Sequence, residues 1–342
     1  MSIRGRVKQL RGLLAAALLV GLPLSMVHAG TNAPLTTEND ESLWIVEYEN
    51  DVFAGEDRYY TSGVRATRIA LAREAPSWLE SVANRFPGFT EATALPYALS
   101  ISHNMYTPAD IENPEFPPDD RPYAAWFQLG FSTGTLHPRG ADRVRVGLGL
   151  VGPAALGREI QTNAHRLIGS PRPRGWGSQL KNEPTLSVGY DRFRRVIDRA
   201  EPHEFGFDVS LLAGATAGNA LTHLTGGSFI RVGQNLPDDF GPPRITPAVS
   251  GSGFFRPGTE RSFYVFLGTE ARLVGRDLFI EGNTIGGRDG VDARRVVGEM
   301  FAGVVYTRNR LRLAYTHVWR NREFEGQLDG QDYGALVFSF WW

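Results

Sequence analysis

Two groups of polar residues in this chain have the side chains of a hydrolytic site. One is Glu49-Asn50-Asp51 with Thr61 in the run Asp57-Arg58-Tyr59-Tyr60-Thr61-Ser62-Gly63; the other is His165, near the end of a helix-like piece, Ala154 to Ile168. Gly152-Pro153 opens that piece and Gly169 closes it. An imidazole moves protons near neutral pH, a carboxylate is a hard oxygen donor, and the guanidinium of Arg121, in Arg121-Pro122-Tyr123-Ala124, suits a phosphate. Each also has a plainer use. An isolated His165 reads as a surface helix residue, Asn50-Asp51 as a turn at a strand end, Thr61 as ordinary strand composition, and Arg121 as a partner of Asp119 or Asp120. His103, His137, His203, His223 and His317 read as structural.

The elements that must position these groups are short alternating segments of about ten residues separated by polar turns, the pattern of membrane barrel strands. In 95–104, Tyr97, Leu99 and Ile101 share one face; in 142–151, Val144, Val146, Leu148 and Leu150 do, with Arg143, Arg145 and glycines opposite. The full set is 43–50, 61–71, 95–104, 122–135, 142–151, 182–192, 203–215, 218–233, 262–274, 294–307, 310–320 and 332–342. This predicts an all-β fold, a closed antiparallel transmembrane barrel of about twelve strands with a short extracellular helix. The last segment puts Leu336, Phe338, Phe340 and Trp342 on one face. An aromatic final strand is a typical signal to the barrel-assembly machinery.

With both termini periplasmic, the links 307–310 and 136–141 fall inside and 51–60, 105–121, 152–181, 275–293 and 321–331 fall outside. Short inner turns and longer outer loops are the expected asymmetry. The link 234–261 breaks it, being long on the inner side. The polar groups above collect at the outer rim, which favours a surface enzyme over a pore.

The first residues carry Arg4, Arg6, Lys8 and Arg11, an apolar stretch from Leu13 to Leu24 and a small-residue exit at Ala29. This predicts a signal peptide over 1–29 and a barrel over 30–342, because the apolar stretch is too short for a spanning helix. The chain has no cysteine, so an exported product must rely on a closed sheet or a core. Its 39 glycines among 342 residues exceed the usual share of about 7 % and suit tight strand packing. A formal charge of -1 offers no basic stripe for nucleic acid.

Several stretches together resemble the outer-membrane lipid A 3′-O-deacylases. They are Glu49-Asn50-Asp51, Arg58 to Gly63, Met105-Tyr106-Thr107-Pro108, Asp120 to Ala124, and Gly152-Pro153 through Gln161, His165, Ile168-Gly169 and Gly175-Trp176, with Gln179 to Pro184 and Glu323 to Gln327. The resemblance implies a twelve-stranded barrel in the Gram-negative outer membrane, with a site facing the outer leaflet between wall and extracellular helix. It also implies a calcium-dependent esterase that removes the 3′-linked acyloxyacyl group of lipid A in lipopolysaccharide. On that pattern His165 is the general base on water, calcium stabilises the oxyanion, Asp51 and Thr61 are metal ligands, Asn50 orients or polarises the reacting group, and Arg121 meets a lipid A phosphate.

Some members carry an acid six positions after the histidine; here that position is Pro171, and Glu183 or Glu159 are the substitutes within reach in sequence. Two other readings compete. A serine-type barrel phospholipase would need a nucleophile, and the chain has no Gly-x-Ser-x-Gly turn and only Ser62 and Ser170 nearby. A non-catalytic porin or structural barrel is the other, although a barrel this narrow can be filled by its own side chains.

Overall fold

The computed structural model describes residues 41–342 apart from 71–74, 90–92, 95–96, 116–117, 138, 202, 238, 240, 242–243, 246–254, 256–257 and 287–289. The predicted signal peptide, 1–29, and the first residues of the predicted 30–342 barrel region lie outside the described residues. Within them the wall is built from β1 Ser42–Asn50, β2 Tyr59–Ala70, β3 Tyr97–Thr107, β4 Ala124–His137, β5 Gly140–Val151, β6 Glu183–Arg199, β7 Phe205–Gly218, β8 Leu221–Gln234, β9 Gly258–Asp277, β10 Val296–Asn309, β11 Leu311–Arg320 and β12 Gln331–Trp341. A further pair, Thr93-Ala94, bonds to Leu136 and Thr135 of β4 just ahead of β3. Each strand runs antiparallel to its chain neighbours, and β12 returns to β1 with Leu43 opposite Trp341, so the sheet closes without an edge. Lipid supplies no hydrogen bonds to a free edge, which is why the closed form is the stable one.

Alternation sorts the two faces. Leu99, Ile101, Leu148, Leu267 and Phe338 lie 41–49 % exposed on the outside. Glu47, Asp191, Arg231, Glu299 and Arg312 are buried inside, where Arg145 and Arg143 both donate to Asp191 at 2.7 and 2.9 Å. All twelve expected strands are present, with shifted ends. β6 continues to Arg199, past the expected end at 192, because its charge-rich tail hides the alternation. Val144 and Val146 are not lipid-facing as expected but buried. Helix α1, Ser77–Ala83, packs on the outer side of β4 and β5, with Trp78 edge-on to Phe131 at 5.4 Å. No helix among the described residues is long and apolar enough to cross a membrane.

The long link after β8 resolves the exception to the turn asymmetry, because its described residues fold up into the barrel rather than hanging below it. Arg244 lies 3 % exposed and donates from Nη2 to Glu299 at 2.5 Å and to the Tyr333 hydroxyl at 2.6 Å. The Ile245 amide donates to Glu49 Oε1 at 3.0 Å. Asp239 is held by Arg231 and by Arg312, the latter at 2.6 Å, and Trp341 donates to the Phe255 carbonyl at 3.1 Å. The described residues of this link thus reach into the lumen, with charges neutralised in pairs as burial requires.

A candidate active site between the barrel wall and a short helix

The end of β1 and the start of β2 set one side of the site. Asn50 ends β1 in extended backbone, and its Oδ1 accepts the Val52 amide at 2.9 Å, capping the short turn Asp51–Ala54. Gly55, at φ +79, lets the chain double back, and the Arg58 amide then donates to Asp51 Oδ2 at 2.7 Å. Asp51 is fully buried, yet its other oxygen, Oδ1, has no hydrogen-bond partner. Burial, followed by the nearby charge of Asp57, pushes its carboxyl well above the usual range. Arg58 does not offset this, because its guanidinium pairs with Glu56 at 3.0 Å.

Along its other edge, the register of β2 with β3 slips between Tyr60 and Ser62. Thr61 is the extra residue of that bulge, and its hydroxyl meets Thr107 Oγ1 at 2.8 Å. Bulges re-aim single side chains in this way. Tyr60, facing inward, donates to Glu49 Oε2 at 2.8 Å, so the carboxylate that receives the Ile245 amide also supports the bulge.

The other side is helix α2, Gly157–Ile168, which follows a turn at Pro153–Ala155. Its buried residues are Gly157, Gln161 and His165, a spacing of four that forms one stripe against the wall. Gly157 is required there: a Cβ would lie 2.4 Å from the Trp176 ring and 2.5 Å from the Ala125 methyl. Trp176 donates from Nε1 to Gln161 Oε1 at 2.7 Å and packs on Tyr123 with ring centres 5.0 Å apart. His103, on the outer face of β3, bonds the Ala155 carbonyl at 2.7 Å and fastens the start of the helix. Gly169 stops the helix at φ +73, and the chain turns so that His165 Nδ1 meets the Pro171 carbonyl at 2.6 Å. A carbonyl only accepts, so Nδ1 carries the hydrogen and Nε2 holds the free lone pair. That Nε2 lies 4.0 Å from Asp57 Oδ2. Burial raises the Asp57 carboxyl and His165 pulls it back down.

His165 faces Asp57 of the loop that also carries Asp51, with Asn50 and Thr61 flanking that loop at the ends of β1 and β2. Arg121 sits apart from them, 1 % exposed, between Glu323 and the Phe279 carbonyl at 3.3 Å each and 4.7 Å above the Tyr106 ring. Burial pushes Glu323 up, but Arg320, Arg121 and Arg272 together hold it below the usual carboxylate range. Glu183 is engaged by Asn219, Asn283 and the Thr284 amide at 2.8–3.1 Å, and Glu159 is exposed on the first turn of α2. Asp57 was not singled out from sequence, although it opens the quoted run to Gly63; only the fold shows it facing the histidine.

A calcium ion fits this donor set in one respect, the unpartnered Oδ1 of a buried carboxylate beside a second acid. No group of three or more His, Cys, Asp or Glu able to hold a metal is found among the described residues. Most of a calcium shell would therefore come from hydroxyl and backbone oxygens.

A model of the family described as outer membrane protein LpxR matches residues 13–342. Among solved structures, LpxR from Salmonella typhimurium is similar at TM-score 0.71 and 20 % identity, over 87 % of this chain and 99 % of that one; at this identity the likeness establishes the fold. The β domain of the Bordetella autotransporter Brka aligns at TM-score 0.40 and 11 % identity, over 88 % of this chain and 99 % of that chain. The translocator domain of the autotransporter NalP from Neisseria meningitidis aligns at 0.37 and 10 %, over 98 % and 96 %. No curated protein sequence matches the chain.

Proposed function

The chain belongs to the LpxR family of outer-membrane proteins, and from that premise we propose that it is a lipid A deacylase that hydrolyses the 3′-linked acyloxyacyl ester at the outer leaflet. The observation that carries the reading is the state of His165. Its tautomer is fixed by the Pro171 carbonyl, leaving Nε2 as a proton acceptor on the wall side of α2. His165 takes a proton from water as the oxygen attacks the ester carbonyl, then returns it to the departing alkoxide. Asn50, whose Oδ1 is committed to Val52, polarises the substrate through its amide hydrogens. Asp51 and Thr61 would hold calcium, which when bound supplies Lewis-acid stabilisation of the oxyanion. Arg121 is buried and already engaged by Glu323 and the Phe279 carbonyl, so a lipid phosphate would compete with Glu323 for it.

The test is mass spectrometry of lipid A from cells with and without the protein. Loss of the mass of the 3′ acyloxyacyl group is expected with the wild type and not with His165→Ala. Unchanged lipid A in cells carrying folded wild-type barrel would overturn the reading. A serine probe that labelled the protein would favour the serine-type phospholipase instead.

A further inference from the structure

We propose that Asp57 is the second acceptor for the hydrolytic water, so that the nucleophile is oriented between a carboxylate of the β1–β2 loop and the imidazole of α2. The inference rests on the ester-hydrolase reading of His165 and adds a residue to it.

The geometry is that of two acceptors facing each other. His165 Nδ1 is the protonated nitrogen, because it donates to the Pro171 carbonyl, so Nε2 offers a lone pair. Asp57 Oδ2 also accepts and lies 4.0 Å from Nε2, too far for a direct hydrogen bond. Two acceptors that share one water, each about 2.8 Å from its oxygen, stand roughly 4.4 Å apart when the water keeps its own angle. The observed separation is within about half an ångström of that value. A water held this way has both hydrogens engaged and a lone pair aimed away from the pair of acceptors, toward an incoming carbonyl.

The surroundings leave Asp57 available. Arg58, its neighbour in sequence, pairs with Glu56. The Asp57 side chain is 28 % exposed and that of His165 is 9 %, so water reaches the carboxylate while the imidazole stays fixed under the helix. In the step itself, Nε2 takes one hydrogen from the water and the oxygen forms a bond to the ester carbonyl carbon. The tetrahedral intermediate then breaks its bond to the alkoxide, which takes the proton back. Asp57 gains no proton. It holds the second hydrogen of the water, and its charge faces the N–H that forms on the imidazolium.

The test compares Asp57→Ala, Asp57→Asn and His165→Ala on purified lipid A, with mobility in heated and unheated electrophoresis as the fold control. Asp57→Ala should lower kcat about 10²-fold with KM within twofold, the cost of misplacing a reacting group. Asp57→Asn keeps an acceptor oxygen and should lose about tenfold or less. A merely structural role would raise KM along with lowering kcat, and would overturn the proposal. Equal losses in Asn and Ala would overturn it too, in favour of charge alone. Full activity in Asp57→Ala with an inactive His165→Ala would overturn this inference and leave the deacylase reading standing. A folded but inactive wild type, or an active His165→Ala, would remove that reading and this one with it.

Discussion

His165 Nδ1 donates to the main-chain carbonyl of Pro171 at 2.6 Å. The residue six places on from the histidine therefore acts through its backbone, orienting the ring by a hydrogen bond that any side chain at that position could leave intact. Pro171→Ala should keep deacylation within about threefold, whereas His165→Ala should lose about 10²–10⁴ in rate, the usual worth of a general base. Turnover measured for both variants checks this. A collapse in Pro171→Ala would show that the proline ring, not its carbonyl, is what matters.

Asp51 is costly for the fold, and on the proposed reading it is needed for activity. Its buried carboxylate lacks a countercharge, so Asp51→Asn should abolish activity and raise resistance to thermal unfolding in chelator by about 1–3 kcal/mol, the cost of an unsatisfied buried group. The sign in pH follows from the raised folded value. The folded state holds this proton to higher pH than the unfolded chain, so stability falls as pH rises above the ordinary Asp value of 3.8. The gain in the Asn variant should vanish below about pH 4 and grow above it.

Calcium should stabilise the wild type by binding the folded state alone, and Asp51→Asn should lose that shift. Thermal unfolding read by circular dichroism at several calcium concentrations tests this without reference to turnover. Pro171→Glu adds a carboxylate next to the site and should lower the concentration needed. Equal shifts in the wild type and Asp51→Asn would remove Asp51 from the cation site.

Gly157→Val should detach α2 from the wall while leaving the barrel folded. The added carbon meets the Ala125 methyl, which cannot rotate away, as well as the Trp176 ring. Deacylation should fall about 10²-fold with unchanged heat-dependent electrophoretic mobility. An active variant would mean that His165 does not need the helix packed down.

The link after β8 should behave as a plug. Wild-type protein should give no conductance in planar bilayers, and removal of residues 236–255 should open ion-conducting channels. Arg244→Ala should cost about 2–3 kcal/mol, less than the roughly 3–5 of a fully broken buried pair. The cost is reduced because Arg320 and Arg272 still face Glu299 at 2.7 and 3.0 Å. Channels in the wild type would contradict the plug.

What the sequence by itself determined is the wall. A strand in lipid must alternate and a barrel must close, so the period-two pattern of Leu99 and Ile101 or of Leu336 and Phe338 specifies strands, count and direction locally. The candidate site residues were not legible in that way: Asn50, Asp51, Thr61 and His165 each have an ordinary reading as turn, strand or helix residues, and only the resemblance of the stretches around them singled them out. Tertiary structure alone decided what lies between elements far apart in the chain. It brought Asp57 to His165, put the Pro171 carbonyl rather than a side chain on the imidazole, sealed Arg121 against Glu323, and drew Ile245 and Arg244 of the 234–261 link inward onto Glu49 and Glu299. Those choices depend on pairing charges and filling the space inside a closed wall. No local periodicity encodes them, because each partner is set by where the closed sheet places the other.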